Sequence, residues 1–242
     1  MFNNSSYESF SQLSSLKYYQ PLYIWLGCIQ SILYLTVGCV GNAMVITVVT
    51  RSSNMITPTN CYLVSLAIAD ICLLIVTVLP NITEFMNPID HWQLGAFLCT
   101  ILVFLQYYCC STSSLSITFF SIERWVAICF PMKAKTLCTI KRARIIIICI
   151  WFCCFLYNMM WLYLAHTKTK RFPNSLMSYE KCTFRLHRKY YKAIYMSDII
   201  LFYFLPLVII FVLYVHIVMV LFQSSMRRSI GSSDRNRKSR IQ

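Results

Sequence analysis

The chain has 242 residues, of which 58% are apolar or aromatic, 12% are charged and five are glycine. That composition excludes an ordinary soluble domain. The formal net charge of +14 sits in short runs between long uncharged stretches. It therefore argues against a nucleic-acid partner and for loops at the two faces of a lipid bilayer.

No charge occurs between Lys17 and Arg51, a window long enough to cross the hydrocarbon at about 1.5 Å per helical residue. It predicts a first span over Trp25 to Val49. The stretch is too long, and its leader too poor in basic residues, for a cleaved signal peptide. A second span is predicted over Cys61 to Leu79 with Asp70 near its middle, and a third, uncharged, over Phe97 to Ile122. The fourth, Ile145 to Leu164, follows a basic cluster. The fifth, Tyr195 to Phe222, carries Asp198 near one end and Pro206 near its middle, where a neighbouring helix would have to re-satisfy the freed carbonyl. Residues 1–24 form an outer leader, 25–222 the spans and their loops, and 223–242 a basic tail that begins a third inner loop.

Lys and Arg side with the cytoplasm only narrowly. Thirteen, among them Arg51, Arg124, Lys133, Lys135 and Arg142, fall on one face and nine on the other, most of those in a loop running from Lys168 to Lys192. Two further features place the N-terminus outside. Asn3 and Asn4 each open an acceptor sequon for glycosylation in the polar leader. Eleven of the thirteen cysteines lie in or beside the spans as small buried hydrophobes, whereas Cys99 and Cys182 stand at outer ends, where a disulfide is open to them.

Polar residues inside the spans mark the candidate sites. An aspartate at mid-membrane costs roughly 2.5–3.5 kcal/mol on insertion scales, so Asp70 must face the bundle or water. It either bonds a neighbouring helix, for example at Asn42, or holds a water or a cation, with Ser113 as a further lining residue. Gln106 and Arg124 are eighteen residues apart, which is five whole turns, so one helical face links positions about 27 Å apart. Around the outer one, Gln106, Tyr107, Cys110 and Ser111 suit a ligand with amide groups and a ring, or else pack a neighbouring helix. At the inner one, Glu123 and Arg124 are adjacent opposite charges, expected to neutralise each other when held together and to free the arginine when parted; the alternative is an arginine snorkelling to the headgroups.

These positions together strongly resemble the rhodopsin-like, or class A, G-protein-coupled receptors. The resemblance rests on Gly41-Asn42, Leu66 to Asp70, Trp92 to Gly95 followed by Cys99, Glu123-Arg124-Trp125 with Pro131, and Trp151, Cys182, Pro206 and Tyr214. It implies an all-α membrane protein comprising five helices of a seven-helix receptor bundle, multi-pass in the plasma membrane. It also implies a Cys99–Cys182 bridge, a sodium pocket containing Asp70 and Ser113, and a heterotrimeric G protein as partner. Glu123, Arg124, Trp125, Pro131, Pro206 and Tyr214 become parts of the activation switch, and Met132 an apolar anchor entering the G protein. Trp125 departs from the usual tyrosine and removes one hydroxyl.

Within that class, Thr57 to Ala67, Leu79 to Thr83, Leu105 to Tyr107, and Lys133 to Lys135 with Leu137 to Thr139 look most like the thyrotropin-releasing hormone receptors. This implies a small peptide ligand of the pyroglutamyl-histidyl-prolineamide type, Gq-class coupling, and ligand contacts from Gln106, Tyr107, Ser111, Trp161 and Tyr195. The family's asparagine at the deeper contact is Ser111 here, and the basic second outer loop also departs from the vertebrate pattern. Another neuropeptide or orphan class A receptor is the alternative.

The sequence in hand stops in what looks like the third inner loop. The expectation is a fragment or a non-signalling isoform, able to pair with a full-length receptor protomer and hold it in the endoplasmic reticulum. A transporter is disfavoured because no inverted repeat is visible. An enzyme is disfavoured because the sequence has neither HExxH nor GxSxG and its four histidines are scattered. No cofactor and no metal-binding cluster are expected.

Overall fold

A computed structural model describes residues 19–88, 91–171 and 178–238. The sequons at Asn3 and Asn4 lie outside the described residues. Helix α1 spans Pro21–Arg51, a short 3-10 turn covers Ser53–Met55, and α2 runs over Pro58–Met86. Helix α3 is Gly95–Cys129, α4 is the short Pro131–Leu137 and α5 is Ile140–Leu164. An antiparallel hairpin follows, β1 Ala165–Arg171 and β2 Ser178–Phe184. The last span is composite: α6 Arg188–Ile199, a π turn Ile200–Phe204, and α7 Leu205–Lys238.

Five helices are long and apolar enough to cross a membrane. Each runs past the limits that hydropathy alone set, the fourth only at its start, since it ends at Leu164 as expected. The second, expected over 61–79, is helical over 58–86, because the apolar run marks the hydrocarbon while caps decide where the helix ends. Pro58 and Pro131 fill first-turn positions that need no N–H. The Thr57 hydroxyl accepts from the Asn60 N–H at 3.2 Å and that of Thr139 from the Arg142 N–H at 3.3 Å. At the other end of the bundle, the start of the basic tail continues α7 as helix as far as Lys238.

Polarity is turned inward, as expected where lipid replaces water. Leu22, Trp25, Leu33 and Val37 of α1 and Phe211 and Phe222 of α7 are exposed, while Ser65, Ser111, Thr112, Ser116, Thr118, Ser121 and Asn158 are buried. Small hydroxyl residues let helices approach closely and can satisfy themselves. Thr112, Thr118 and Ser121 each donate to the carbonyl four residues back, at 2.8 to 2.9 Å. Ser65 ties three helices together, accepting from the Trp151 indole at 2.9 Å and lying 3.4 Å from the Ser116 hydroxyl. Helix α3 is the axis of the bundle and packs on α2, α5 and α7, while α1 lies chiefly on α2. Gly27 permits that last contact, since a Cβ there would meet the Phe85 ring at 2.7 Å.

The hairpin closes one end. Its register pairs Thr167 with Cys182 and Lys168 with Lys181, and Cys182 is disulfide-bonded to Cys99 at the start of α3 with a Cα–Cα distance of 5.7 Å. The Trp92 amide donates to the Glu180 carbonyl and its indole N–H to the Gly95 carbonyl, both at 2.8 Å. Gly95 takes φ +78°, a left-handed value that a residue with a Cβ rarely adopts, where the chain turns into α3.

Candidate functional site

Below the hairpin, α3 and the last span enclose a cleft of about 490 Å³. Gln106, Tyr107, Cys110 and Ser111 line it from one helical face, and Tyr195, Asp198 and Phe202 line it from the other side. The four α3 residues share a face because their spacing brackets one turn. Tyr107 is held flat against Trp161, ring centroids 3.9 Å apart and 5° from parallel.

Trp161 differs from the expectation that it contacts ligand directly. Its side chain is 0% exposed, wedged among Tyr107, Phe184 and Tyr191, so it backs the wall that Tyr107 presents. Ser111 donates to the Tyr107 carbonyl at 2.8 Å and accepts from Asn158 at 3.3 Å, which leaves its hydroxyl committed within the bundle. Tyr195 is 39% exposed and stands beside Tyr191.

Two residues not foreseen as ligand contacts join this region. Asn158, buried on α5, carries an amide oxygen without a hydrogen-bond partner. Asp198 is 8% exposed. Its Oδ1 accepts from the Tyr157 hydroxyl at 2.7 Å, whereas Oδ2 is buried and has no hydrogen-bond partner. An acid within an apolar span was the available signal for Asp198; a lone asparagine in a span gave only a weak one.

At mid-bundle the Ser113 hydroxyl donates to Asp70 Oδ1 at 2.7 Å. Asn42, the alternative partner, turns instead to its own helix and donates to the Gly38 carbonyl at 2.9 Å. Pro206 lacks the N–H that would reach the carbonyl of Phe202, four residues back. The Ser114 hydroxyl donates to that carbonyl instead, so α3 re-satisfies the interrupted helix as the sequence required.

At the end remote from the hairpin the arginine and its acid neighbour separate. Successive helical side chains diverge by about 100°, and among the described residues no ion pair joins Glu123 to Arg124. The expected mutual neutralisation is thus replaced by two environments. Arg124 is exposed and lies 5.3 Å from the Phe120 ring centroid. Glu123, 6% exposed, turns inward near Tyr62 and faces the Cys138 thiol. Burial, then the Glu123 carboxylate, pushes the Cys138 thiol up to about 11. Trp125 reaches across to the last span and donates to His216 Nδ1 at 2.9 Å. Pro131 starts α4 and leaves the next residue, Met132, 81% exposed. Tyr214 is 44% exposed on α7.

This order of helices, with one disulfide under a hairpin and an acid-arginine pair at the far end of the third span, defines a rhodopsin-type receptor bundle. Residues 41–241 match the family of 7 transmembrane receptors (rhodopsin family), and the chain belongs to it. It is similar to the thyrotropin-releasing hormone receptor of Mus musculus, 42% identical over 72% of this chain and 44% of that protein, and to the one of Gallus gallus, 44% identical over 72% and 43%. Neuromedin-U receptor 1 of Rattus norvegicus is 31% identical over 77% of this chain and 44% of its own length. The chain thus spans less than half the length of the curated relatives it matches.

Proposed function

We propose that this chain forms the peptide-binding and transducer-facing core of a G-protein-coupled receptor of the thyrotropin-releasing hormone type. The hairpin end faces outside, and the Arg124 end faces the cytoplasm. A small peptide enters beneath β1 and β2 and lies against Gln106, Tyr107, Cys110 and Tyr195, with Trp161 and Ser111 supporting the wall. The observation that carries the reading is this cleft, lined by the helix to which a disulfide tethers the hairpin, in a chain similar to receptors named for a peptide hormone.

On the inner side, Met132 and Arg124 are presented to a heterotrimeric G protein of the Gq class. Glu123, Trp125, Pro131, Pro206 and Tyr214 form the element whose rearrangement ligand biases. Asp70 and Ser113 offer a carboxylate and a hydroxyl, a hard-oxygen donor pair suited to sodium. That ion would supply a positive charge holding the resting arrangement, while Ser113 orients the carboxylate.

The test is to express the receptor from its complete transcript and apply pyroglutamyl-histidyl-prolineamide. Release of intracellular calcium at submicromolar peptide is expected, with Tyr107→Phe weakening it. A surface-expressed receptor that binds no peptide of this class would refute the reading.

A further inference from the structure

Between Ala165 and Lys192 the chain carries eight lysines and arginines and a single acid, Glu180. The hairpin sorts them. Its register sets Lys168 opposite Lys181 and Thr169 opposite Glu180. Directly opposed residues share a face, whereas neighbours along a strand alternate. Lys168, Lys170 and Lys181 therefore stand on one face, and Glu180 falls on the other with Cys182, whose bond to Cys99 ties that face to α3. Lys168 and Lys170 are about 6.5 Å apart along the strand. Both are exposed, as is Arg171 beside them, and among the described residues no carboxylate pairs with any of the three.

This arrangement is unfavourable in three respects. Like charges set directly opposite each other weaken a strand pair. Lysines and arginines normally collect on the cytoplasmic side of a membrane protein. The basic run also continues past the sheet, where Arg185 lies over the Tyr163 ring at 5.1 Å and α6 begins with Lys189 exposed, no acid in its first turn and no side-chain cap. Positive charge there opposes the helix dipole. Lysines on an open strand edge can guard it against pairing, which accounts for β1. It does not account for Lys181, since the Trp92 N–H already occupies the edge of β2 at Glu180, nor for a cation on α6.

None of these cations lines the cleft between α3 and the last span, so a ligand seated there leaves them unused. They project as separate charges at strand spacing, which suits the charge density of a long chain better than the outline of a small anion. Resting on the outward placement of the hairpin proposed above, which its disulfide favours, we infer that the lysine face of the hairpin and the start of α6 bind a sulfated polysaccharide of the cell surface. A stiff polysulfate meets the array without first being ordered, whereas an acidic peptide loses conformational freedom on extending along it. Lysine ammonium groups are hydrated point charges that follow charge density instead of shape, so the binding depends strongly on salt.

The test uses the complete receptor in phosphatidylcholine nanodiscs, with fluorescent heparin and polyglutamate of equal charge as probes. Heparin binds more tightly than polyglutamate, and more weakly as sodium chloride rises. Lys168→Thr, Lys170→Thr and Arg171→Thr combined weaken heparin at least about tenfold at physiological salt and flatten its salt dependence. The charge-keeping set Lys168→Arg, Lys170→Arg and Arg171→Lys holds binding within about threefold, as does Lys133→Thr with Lys135→Thr, which removes exposed charge at the end remote from the hairpin. Losses as large from Lys133 and Lys135 overturn the inference by showing general charge attraction. Equal losses in the threonine and charge-keeping sets overturn it as well, and polyglutamate binding as tight as heparin's overturns it in favour of an acidic peptide. Intact cells lacking their own heparan chains bind heparin through surface-stained receptor. Binding by the nanodisc receptor alone refutes the outward placement and the inference with it, whereas heparin that fails on both refutes the inference and leaves the peptide-receptor reading standing.

Discussion

Trp125 donates its indole N–H to Nδ1 of His216 at 2.9 Å, joining the end of the third span remote from the hairpin to the fifth across 91 residues of sequence. The Cys129 thiol lies 3.4 Å from the same nitrogen, and Phe130 packs edge-on against the indole. The departure from tyrosine at 125 therefore loses a hydroxyl but gains an interhelical donor. We expect Trp125→Phe and His216→Ala to lower the melting temperature of detergent-solubilised receptor, and a double-mutant cycle to return a coupling of about 0.5–1.5 kcal/mol. Strictly additive effects would show that the two side chains do not cooperate.

Ser114 covers the carbonyl that Pro206 leaves open. Ser114→Ala is expected to destabilise the bundle by about 1–3 kcal/mol, the cost of an unsatisfied buried acceptor. The same change should matter less in a Pro206→Ala background, where residue 206 regains an N–H able to reach the Phe202 carbonyl. Thermal denaturation of the four proteins checks this, and a loss of the same size in both backgrounds would assign Ser114 another role.

Cys138 lies outside the spans, and its thiol is pushed up to about 11, by burial first and the Glu123 carboxylate second. A raised thiol pKa means a smaller thiolate fraction at neutral pH, so maleimide labelling of Cys138 should be slow at pH 7–8 and accelerate as pH climbs toward 11. Glu123→Gln should speed labelling only in part, because the larger cause remains. Peptide mapping of labelled membranes provides the readout. Labelling at pH 7.5 as fast as that of a solvent-exposed thiol would contradict the geometry at this end.

Breaking the Cys99–Cys182 disulfide should act as one event. Cys99→Ser, Cys182→Ser and the double change are expected to cost the same, about 2–5 kcal/mol, and to reduce peptide binding together. Radioligand binding and surface staining measure this. A double variant much worse than either single one would mean that the thiols act separately.

Much of this architecture is legible in the sequence because a bilayer enforces simple rules. Five apolar runs are five helices, Asp70 meets Ser113, and the carbonyl before Pro206 finds a donor in the next helix. What escapes is set by rotation about helix axes and by distant pairing. Hydropathy cannot tell that Trp161 sits behind Tyr107 instead of beside it, since both are aromatic residues near a cleft. Nor does it show that Glu123 and Arg124 point apart, since adjacency along a chain is not adjacency across a helix. Asp198 was visible as an intramembrane acid, but its aim into the cleft depends on the turn that follows it.

That turn, Ile200–Phe204, winds wider than the helices on either side, with the Leu205 N–H reaching back to the Ile200 carbonyl. A π turn holds one residue more than an α turn, and each residue is worth about 100° of azimuth. Remove one amino acid there and everything upstream swings round like a key turned by a quarter. Tyr195 and Asp198 would then address acyl chains, and the cleft would lose one of its two walls although every residue of α3 kept its place.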